Sequence, residues 1–419
     1  MFFFLTGRLV ATRMCLLLCA AALVALGIAT LYAIDHPAEA SPGGRAEEAS
    51  GRYQRQAVFA ALGLGAFLAV NAVPYRVFGP HSGWVFASIL CLLFYLAMAR
   101  VAGAFGKDLP FAPLRNHVYQ WITPQIGGRT LPSIQPSEFC KLAYILTLAW
   151  YLRYRSNYRS IHSLVGPFVL TLLPVVLILA EPDLGTVCLL GTMLYLMLFV
   201  AGARGKHLMM ILLAGLMVSP FLWLQMNPKQ RNRVSAVVLQ NAWVRQKVED
   251  SPSLSRVLAG GRFTTREWMQ SYGYQLERSK NAIASGGGTG YGFRKGPFIK
   301  YDFLKYRESD FVFALIAHQW GFLGAVGVLL LYVLICVLGL EIAAHNTDPF
   351  GRLLAVGIVI LFTVEVVVNV GVTVGLMPIT GLTLPLVSHG GSSLMVHMIA
   401  IGLLNNVGRS RPFSLARPT

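Results

Sequence analysis

Long apolar runs alternate with short polar segments along the chain, and this pattern constrains the fold more than any other feature. A helix of about 20 mostly apolar residues can cross the hydrocarbon core of a bilayer. Ten runs approach or reach that length: 14–34, 57–74, 84–104, 139–153, 164–180, 184–202, 207–226, 310–340, 351–376 and 384–408. Because spanning segments must satisfy their own backbone polar groups, we predict an all-α polytopic membrane protein of about ten transmembrane helices.

Composition supports this prediction. Charged residues make up 13% of the 419 residues and hydrophobic residues 55%, whereas a soluble domain carries about 25% charged residues. We interpret residues 1–419 as a single membrane domain, with residues 227–309 as a large external loop between helices 7 and 8. The net charge of +17 is typical of Lys and Arg that fix membrane topology. Since no zinc-finger spacing or RNA-binding signature accompanies the charge, we exclude a nucleic-acid partner.

The positions of basic residues predict the orientation of the chain. Arg and Lys cluster before the first run and after the fourth, sixth and tenth runs: Arg8, Arg13, Arg153, Arg155, Arg159, Arg204, Lys206, Arg409, Arg411 and Arg417. Cytoplasmic loops are enriched in such residues, so we predict that both termini are cytoplasmic. The first run is longer than the apolar region of about 7–15 residues in a signal peptide, which indicates a retained anchor.

The external loop 227–309 is also basic, although basic loops usually stay inside. Long loops cross the membrane largely regardless of their charge, so the predicted topology holds. The cations in this loop then need a separate explanation. A substrate that carries a pyrophosphate would provide one.

Cysteine usage indicates neither disulfides nor a metal. Six cysteines lie in or beside apolar runs: Cys15, Cys19, Cys91, Cys140, Cys188 and Cys336. None belongs to a CxxC motif or a Cys/His cluster, so we predict that they pack in the core.

Five polar or Gly/Pro-rich clusters interrupt the apolar pattern, at residues 133–138, 181–185, 274–292, 307–311 and 375–393. On the ten-helix topology all five lie at the outer face, which indicates one external site. Local structure offers an alternative for each. Helix capping would explain Glu138, Asp183 and Asp310, a flexible re-entrant loop would explain the glycines of 286–292, and turn chemistry would explain part of 375–393.

Ionisable and amide side chains also lie inside the predicted helices. Glu365 is near the middle of span nine, one turn from Asn369, and a charged group at that depth is functional by default. His318, Gln319 and His397 lie in spans eight and ten. For these residues an interhelical hydrogen bond is the alternative interpretation.

The clusters, in this order, resemble the motifs of the SEDS family (shape, elongation, division and sporulation), whose members include RodA and FtsW. Residues 135–138 read QPSE and are followed by Lys141; residues 181–185 read EPDLG. Tyr274-Gln275 and the AIASGG of 282–287 are similar to the family's GYQ and AI.SGG. Residues 369–381 read NVGVTVGLMPITG, and 384–393 read LPLVSHGGSS. Five motifs in register identify the chain as a SEDS member, with the RodA-like branch slightly favoured.

This resemblance implies a ten-helix protein of the bacterial inner membrane that binds lipid II in an external cavity. Such a protein joins the lipid II disaccharide to a growing glycan with inversion, releases undecaprenyl pyrophosphate, and works with a class B penicillin-binding protein. The family's TDF aspartate falls on Asp310, which we predict to be the general base. No cofactor is certain, and a divalent cation is the one candidate.

Alignment with the family motifs and the supply of cations give the predicted substrate-binding residues. They are Arg233, Lys280, Ser285, Gly286, Gly287, Glu138, Lys141, Glu181, Asp183, Asn369, Thr380, Ser388, Ser392 and Ser393.

The chain also departs from the family pattern. Glu308 stands where His is usual, His389 replaces the Tyr of SYGGSS, and residues 317–321 read AHQWG without the glutamates of AEELG. Residues 241–269 resemble an insertion. Two alternatives to a polymerase therefore stay open: a transporter of the lipid-linked precursor, and a non-catalytic scaffold for a penicillin-binding protein.

Overall fold

The computed structural model describes residues 9–38, 51–107, 109–114, 118–126, 129–130, 132–154, 164–301 and 303–410. The described chain is helical apart from a two-stranded antiparallel ladder of β1 (Gln125–Ile126) and β2 (Arg129–Thr130). The helices are α1 Val10–Asp35, α2 Arg52–Ala72, α3 Tyr75–Ala104, α4 Pro136–Leu152, α5 Val165–Ala180, α6 Leu184–Val200, α7 Gly205–Gln225, α8 Pro228–Ser235, α9 Ala242–Asp250, α10 Pro252–Ala259, α11 Thr265–Met269, α12 Tyr272–Gly286, α13 Pro297–Lys300, α14 Val312–Ala344, α15 Pro349–Thr373 and α16 Gly391–Arg409.

Several helices have the length and apolarity needed to cross a bilayer. Among the helices in the described ranges, six meet both criteria, namely α1, α2, α3, α7, α14 and α15, and two shorter apolar helices, α5 and α6, accompany them. The protein is therefore a multi-pass membrane protein, as predicted. Of the basic residues used to predict its orientation, Arg8, Arg155, Arg159, Arg411 and Arg417 lie outside the described residues.

The predicted span boundaries need two corrections. Helix α3 begins at Tyr75, nine residues before the predicted start at residue 84, directly after the extended residues Val73 and Pro74 that separate it from α2. The predicted start of the last span at residue 384 is wrong. Residues 384–390 form a turn in which the Ser388 hydroxyl accepts a hydrogen bond from the Leu384 amide at 2.9 Å, and α16 begins only at Gly391.

The predicted weakest span is the centre of the bundle. Helix α4 is buried over nearly its whole length and packs against α3, α15 and α16. Helix α15 is the other central helix. In its most apolar stretch of 18 residues, 72% of the residues are buried inside the protein. A helix surrounded by other helices needs no lipid-facing surface, so α4 can be as short as 17 residues and can carry the buried Glu138 and Lys141.

Helix α14 is broken near its start, although the sequence predicts one continuous span over 310–340. Gly321 has φ 63° and ψ −161°, which no helix accommodates. The glycine-rich segment after α12 fills the break. The Phe322 amide donates to the Gly287 carbonyl at 2.8 Å, and the Gly292 amide donates to the Gln319 carbonyl at 2.9 Å. Backbone groups freed by the break are therefore satisfied by a second segment.

The predicted insertion folds into a small helical cluster. Helices α9, α10 and α11 surround a separate apolar core of Leu239, Val248, Ala259, Phe263 and Trp268. The Arg245 guanidinium lies 4.6 Å from the centre of the Trp268 ring. The cluster thus has its own packing, apart from the core of the helix bundle.

The cysteines only partly follow the prediction of core packing. All six are free thiols, but only Cys19 and Cys140 are buried. Cys15, Cys91 and Cys188 are exposed on apolar helices. In a membrane protein the outer surface is as apolar as the core, so sequence hydropathy cannot separate the two locations.

Candidate functional site

A large cavity lies at one end of the helix bundle. Its volume is about 2010 Å³, and it is lined by the start of α2, residues within 118–123 and 132–135, the α5–α6 turn, parts of α8 and α11–α12, the segment before α14 and the α15–α16 connection. All five polar clusters predicted from the sequence contribute to its wall. The predicted convergence of the five clusters at one place in the molecule is therefore confirmed.

The structure divides the predicted site residues into two groups. Seven line the cavity: Asp310, Arg233, Glu138, Asp183, Thr380, Ser392 and Ser393. Eight do not: Lys280, Ser285, Gly286, Gly287, Lys141, Glu181, Asn369 and Ser388. Most of the second group contact the segments that form the wall, or the helices behind them.

Asp310 lies on the cavity wall immediately before α14. The N-cap of α14 is Phe311 rather than Asp310, so capping does not explain this carboxylate. Burial raises the pKa of Asp310 to about 6, an effect opposed by a hydrogen bond from Ser309 and by the charge of Arg233. A carboxylate with a pKa near the working pH suits a general base.

Two residues behind the wall hold the Asp310 backbone in place. The Asn369 side-chain amide donates to the carbonyl of Asp310 at 3.1 Å and to that of Leu382 at 2.8 Å. The Ser388 hydroxyl donates to the Ser309 carbonyl at 2.5 Å. Asn369 and Ser388 therefore position the aspartate rather than form the cavity surface.

The chain departs from its family motifs at the same junction. The His389 amide donates to the Glu308 carbonyl at 2.8 Å, so the two unusual residues are joined through their backbones. His389 lines the cavity. Burial lowers the pKa of His389, and the charge of Glu308 opposes that effect. The altered residues are thus part of the wall that carries Asp310.

Arg233 supplies positive charge to the cavity. Its guanidinium Nε donates to the Tyr272 hydroxyl at 3.3 Å, and its charge lowers the pKa of Asp310. Lys305 and Arg55 also line the cavity. Lys280, in contrast, donates to the Gln240 side chain at 2.8 Å and lies outside the lining.

The glycine-rich motif has a packing role. A Cβ on Gly286 would lie 2.0 Å from the Ala317 carbonyl oxygen, whereas Gly287 has φ +54° and open space around it. The Ser285 hydroxyl is 2.8 Å from Nδ1 of His318. These residues join α12 to the broken start of α14, and the predicted interhelical hydrogen bond of His318 is confirmed.

The two acidic residues of the α5–α6 turn differ. Asp183 caps α6, because its carboxylate accepts from the Thr186 amide at 3.0 Å and the Thr186 hydroxyl at 2.7 Å; the capping alternative is therefore confirmed, and Asp183 also reaches the cavity. Glu181 is 2% exposed. Burial raises its pKa to about 9, and the Asp183 charge adds to the effect, so Glu181 is a neutral acid at pH 7.

The carboxylates do not gather into a metal site. Within the ranges that the structure describes, no group of three or more His, Cys, Asp or Glu residues could hold a metal ion. The divalent cation considered from the sequence therefore stays a prediction, and no chemical step is assigned to one.

A buried ionic network lies behind the cavity. Lys141 Nζ is 2.7 Å from Glu138 Oε1 and 2.7 Å from Glu365 Oε1. His397 Nε2 is 2.5 Å from the second oxygen of Glu365. Glu138 reaches the cavity, whereas Lys141, Glu365 and His397 are completely buried. The network joins α4, α15 and α16, and the predicted interhelical hydrogen bond of His397 is confirmed.

One wall of the cavity is not predicted from the sequence. Gln54, Arg55, Val58 and Phe59 of α2 line it, as does Trp121. Helix α2 was predicted as an ordinary span beginning at residue 57. The polar run Gln54-Arg55-Gln56 lies directly before that start. It could have indicated that the helix continues beyond its apolar part.

An apolar helix bundle with a large cavity at one end, a carboxylate on its wall and cations beside it is typical of a membrane protein with a binding site for an anionic group. The family model for FtsW, RodA and SpoVE, described as cell cycle proteins, matches residues 13–412. The chain belongs to this family.

Individual relatives support this family assignment. The peptidoglycan glycosyltransferase RodA of Treponema pallidum is 32% identical, over 94% of this chain and 96% of the relative. The stage V sporulation protein E of Bacillus subtilis is 32% identical over 85% of this chain and 86% of the relative. The peptidoglycan glycosyltransferase MrdB of Escherichia coli is 30% identical over 86% of each chain.

Solved structures show the same fold. A chain from a study of polymerization and crosslinking by a peptidoglycan synthase complex has a TM-score of 0.68 and 28% identity, covering 94% of this chain and 96% of that one. The rod shape determining protein RodA of Thermus thermophilus has a TM-score of 0.60 and 27% identity, covering 94% and 95%. The similarity extends over nearly the whole length of the chain.

Proposed function

We propose that the protein is a peptidoglycan glycosyltransferase that polymerises glycan strands from lipid II. The relatives named as glycosyltransferases support this activity. The single observation that carries the assignment is Asp310, a carboxylate on the wall of the large cavity. Burial raises the pKa of Asp310 to about 6. Its ionised form can accept a proton near neutral pH.

The proposed reaction is a single displacement. The acceptor's sugar hydroxyl attacks the anomeric carbon of the donor and gives its proton to the Asp310 carboxylate. A new glycosidic C–O bond forms as the bond from the anomeric carbon to the pyrophosphate oxygen breaks. The electron pair of that bond leaves with undecaprenyl pyrophosphate, and the anomeric centre is inverted.

The cations of the cavity act on the leaving group. Negative charge builds on the pyrophosphate as the bond breaks, and fixed cations stabilise it. Arg233, Arg55 and Lys305 are the lining residues that can supply this charge. Arg233 also lowers the pKa of Asp310, so one guanidinium serves both the base and the leaving group.

The size of the cavity suits a reaction between two large substrates. Ligand pockets are typically about 300–1,000 Å³, and this cavity of about 2010 Å³ is larger. It has room for the sugar and pyrophosphate parts of a donor together with the end of an acceptor strand. A carrier of one lipid-linked molecule would need no such double space.

The proposal includes a place in the cell. Ten spanning helices, including the short α4, α5 and α6, would put both termini in the cytoplasm and the cavity outside the inner membrane. The basic residues Arg153, Arg204 and Lys206 at the opposite end of the bundle support this orientation. A class B penicillin-binding protein is the proposed partner, because one similar structure comes from a synthase complex that couples polymerization to crosslinking.

The test is a polymerisation assay with purified protein and lipid II, alone and with its penicillin-binding partner. Asp310→Asn should lower the rate by about 100-fold or more, the usual contribution of a general base. Asp250→Asn is the matched control, since Asp250 is exposed at the end of α9 and should not affect the rate.

Equal rates for Asp310→Asn and the wild type would remove Asp310 from the mechanism. No polymer from the wild type, even with the partner, would contradict a polymerase and favour a scaffold or a transporter. A lipid II flipping assay would then separate those two alternatives.

A further inference from the structure

Two hydrogen bonds restrict the protonation states that the buried pair Glu365 and His397 can adopt. Nδ1 of His397 is 2.6 Å from the carbonyl oxygen of Ser393, and a carbonyl oxygen can only accept. Nε2 of the same ring is 2.5 Å from Glu365 Oε2. If Glu365 is ionised, both ring nitrogens must donate, and the imidazole is then positively charged.

The position of Lys141 favours the ionised form of Glu365. Its ammonium group is 2.7 Å from Glu365 Oε1 and 2.7 Å from Glu138 Oε1, with no exposed surface on the lysine side chain. One ammonium between two carboxylates leaves one negative charge uncompensated. Because an unpaired charge inside a membrane protein is costly, a second cation is required.

We propose that His397 is that second cation, and that the Glu365–His397 pair is a positioning device for the cavity wall. The network then contains two carboxylates, one ammonium and one imidazolium, with a net charge of zero. His397 is a positioning residue rather than a catalytic one, because it does not line the cavity.

The pair acts on the wall through the first turn of α16. The Ser393 carbonyl accepts from His397, while the Ser393 hydroxyl is 2.7 Å from that of Thr383. The neighbouring Ser392 hydroxyl accepts from the Gln135 amide at 2.9 Å, which joins α16 to the segment before α4. Fixing the imidazole ring therefore fixes the serines that line the cavity. The effect of this on catalysis rests on the proposed function of the cavity.

Charge neutrality predicts an unequal response to mutation. His397→Leu leaves two carboxylates against one ammonium, a net charge of −1 in the bundle. Glu365→Gln removes one negative charge and lets His397 become neutral, and the new amide can accept from Lys141 and donate to Nε2 of His397. The double variant Glu365→Gln/His397→Leu is also neutral.

The first measurement is the apparent melting temperature of the purified full-length protein. His397→Leu should lower it by about 5 °C or more, the effect of leaving a buried charge unpaired. Glu365→Gln should lower it much less, and the double variant should recover most of the loss. His345→Leu is the matched control, since Nδ1 of His345 makes a similar bond at 2.9 Å to a carbonyl four residues earlier but is exposed.

The second measurement separates positioning from general stability. We expect ¹⁵N NMR of histidine-labelled protein near pH 7 to show one imidazolium whose signal is absent in His397→Leu. The polymerisation rate should fall by about 10- to 100-fold in His397→Leu, the cost of a small misplacement of a site. It should stay low in the double variant, which regains charge neutrality but still lacks the ring that bonds to the Ser393 carbonyl.

Three results would overturn the proposal: a neutral ring at His397, equal destabilisation by the two single variants, or no recovery of the melting temperature in the double variant. Melting temperature and NMR need no activity. If the wild type makes no polymer, the proposed function fails while these two measurements still test the pair.

Discussion

Asp310 shows how a single side chain can be kept ready for proton transfer by opposing effects. Burial, together with the charges of Glu308 and Asp183, raises its pKa, whereas the Ser309 hydrogen bond and the Arg233 charge lower it. The resulting pKa of about 6 means that folding favours the protonated carboxyl. Asp310 therefore contributes stability at low pH, and this contribution is lost as the pH rises through about 6.

The same pKa predicts the pH dependence of catalysis. A general base must be ionised, so the polymerisation rate should be constant above about pH 7 and should fall as the pH drops through about 6. Arg233→Gln removes a charge that lowers the pKa of Asp310, so the acid limb should move to higher pH. Initial rates from lipid II between pH 5 and 8.5 would measure both effects.

Arg262→Gln is the control for that experiment, since Arg262 is an exposed cation of the inserted helices. It should leave the pH profile in place. An acid limb that stays at the same pH in Arg233→Gln would show that Arg233 does not act on the base.

At the scale of elements, the joint between α12 and α14 determines the geometry of the site. The break at Gly321 brings the glycine-rich segment against the start of α14, directly after Asp310. Gly286 has no room for a side chain, whereas Gly288 has open space where a Cβ would be. The two glycines lie only two residues apart in the same segment.

This difference predicts a matched pair of outcomes. Gly286→Ala should destabilise the protein by about 1–3 kcal/mol, because its Cβ would overlap the Ala317 carbonyl and force α12 away from α14. Gly288→Ala should change the stability by less than about 0.5 kcal/mol. Thermal unfolding of both variants in the same detergent would test this, and equal destabilisation would show that the segment is not closely packed.

The sequence could predict the helices of the bundle but not this joint. The apolar run over 310–340 is continuous, because the residues on both sides of Gly321 are apolar. The break in the helix depends on backbone hydrogen bonds from the glycine-rich segment, which lies roughly 30 residues earlier in the chain. The motif at 282–287 did signal an unusual backbone, although it could not distinguish approach to a ligand from approach to another helix. Only the structure identifies Ala317 as its neighbour.

At the scale of the whole molecule, the polar clusters carried the prediction of the site. They were recognisable because polar and glycine-rich residues are rare in an apolar chain, and alternating spans bring every second loop to the same side. Arg55 and its neighbours on α2, which also line the cavity, were not predicted as site residues for the opposite reason. They extend a helix that looks like an ordinary span, and only the packing of α2 against α16 turns them toward the cavity.

The orientation of the molecule can be measured by cysteine labelling. In a variant without the six native cysteines, Ser253→Cys should react with a membrane-impermeant maleimide in intact cells. Lys206→Cys, at the other end of α7, should react only after lysis. Both positions are exposed in the structure, so a lack of labelling would reflect the membrane rather than burial.

Labelling at residue 206 in intact cells, with none at residue 253, would reverse the proposed topology. The cavity would then face the cytoplasm, and an external polymerase would be contradicted.

The inserted helices α9 to α11 have a practical consequence. Since their apolar core is their own, a fluorescent domain spliced into the exposed turn after Asp250 would leave the contacts of the helix bundle and the cavity wall untouched. The chain thus carries a natural attachment point beside its active end. Through it, single molecules could be followed in living cells while the chemistry of the cavity continues.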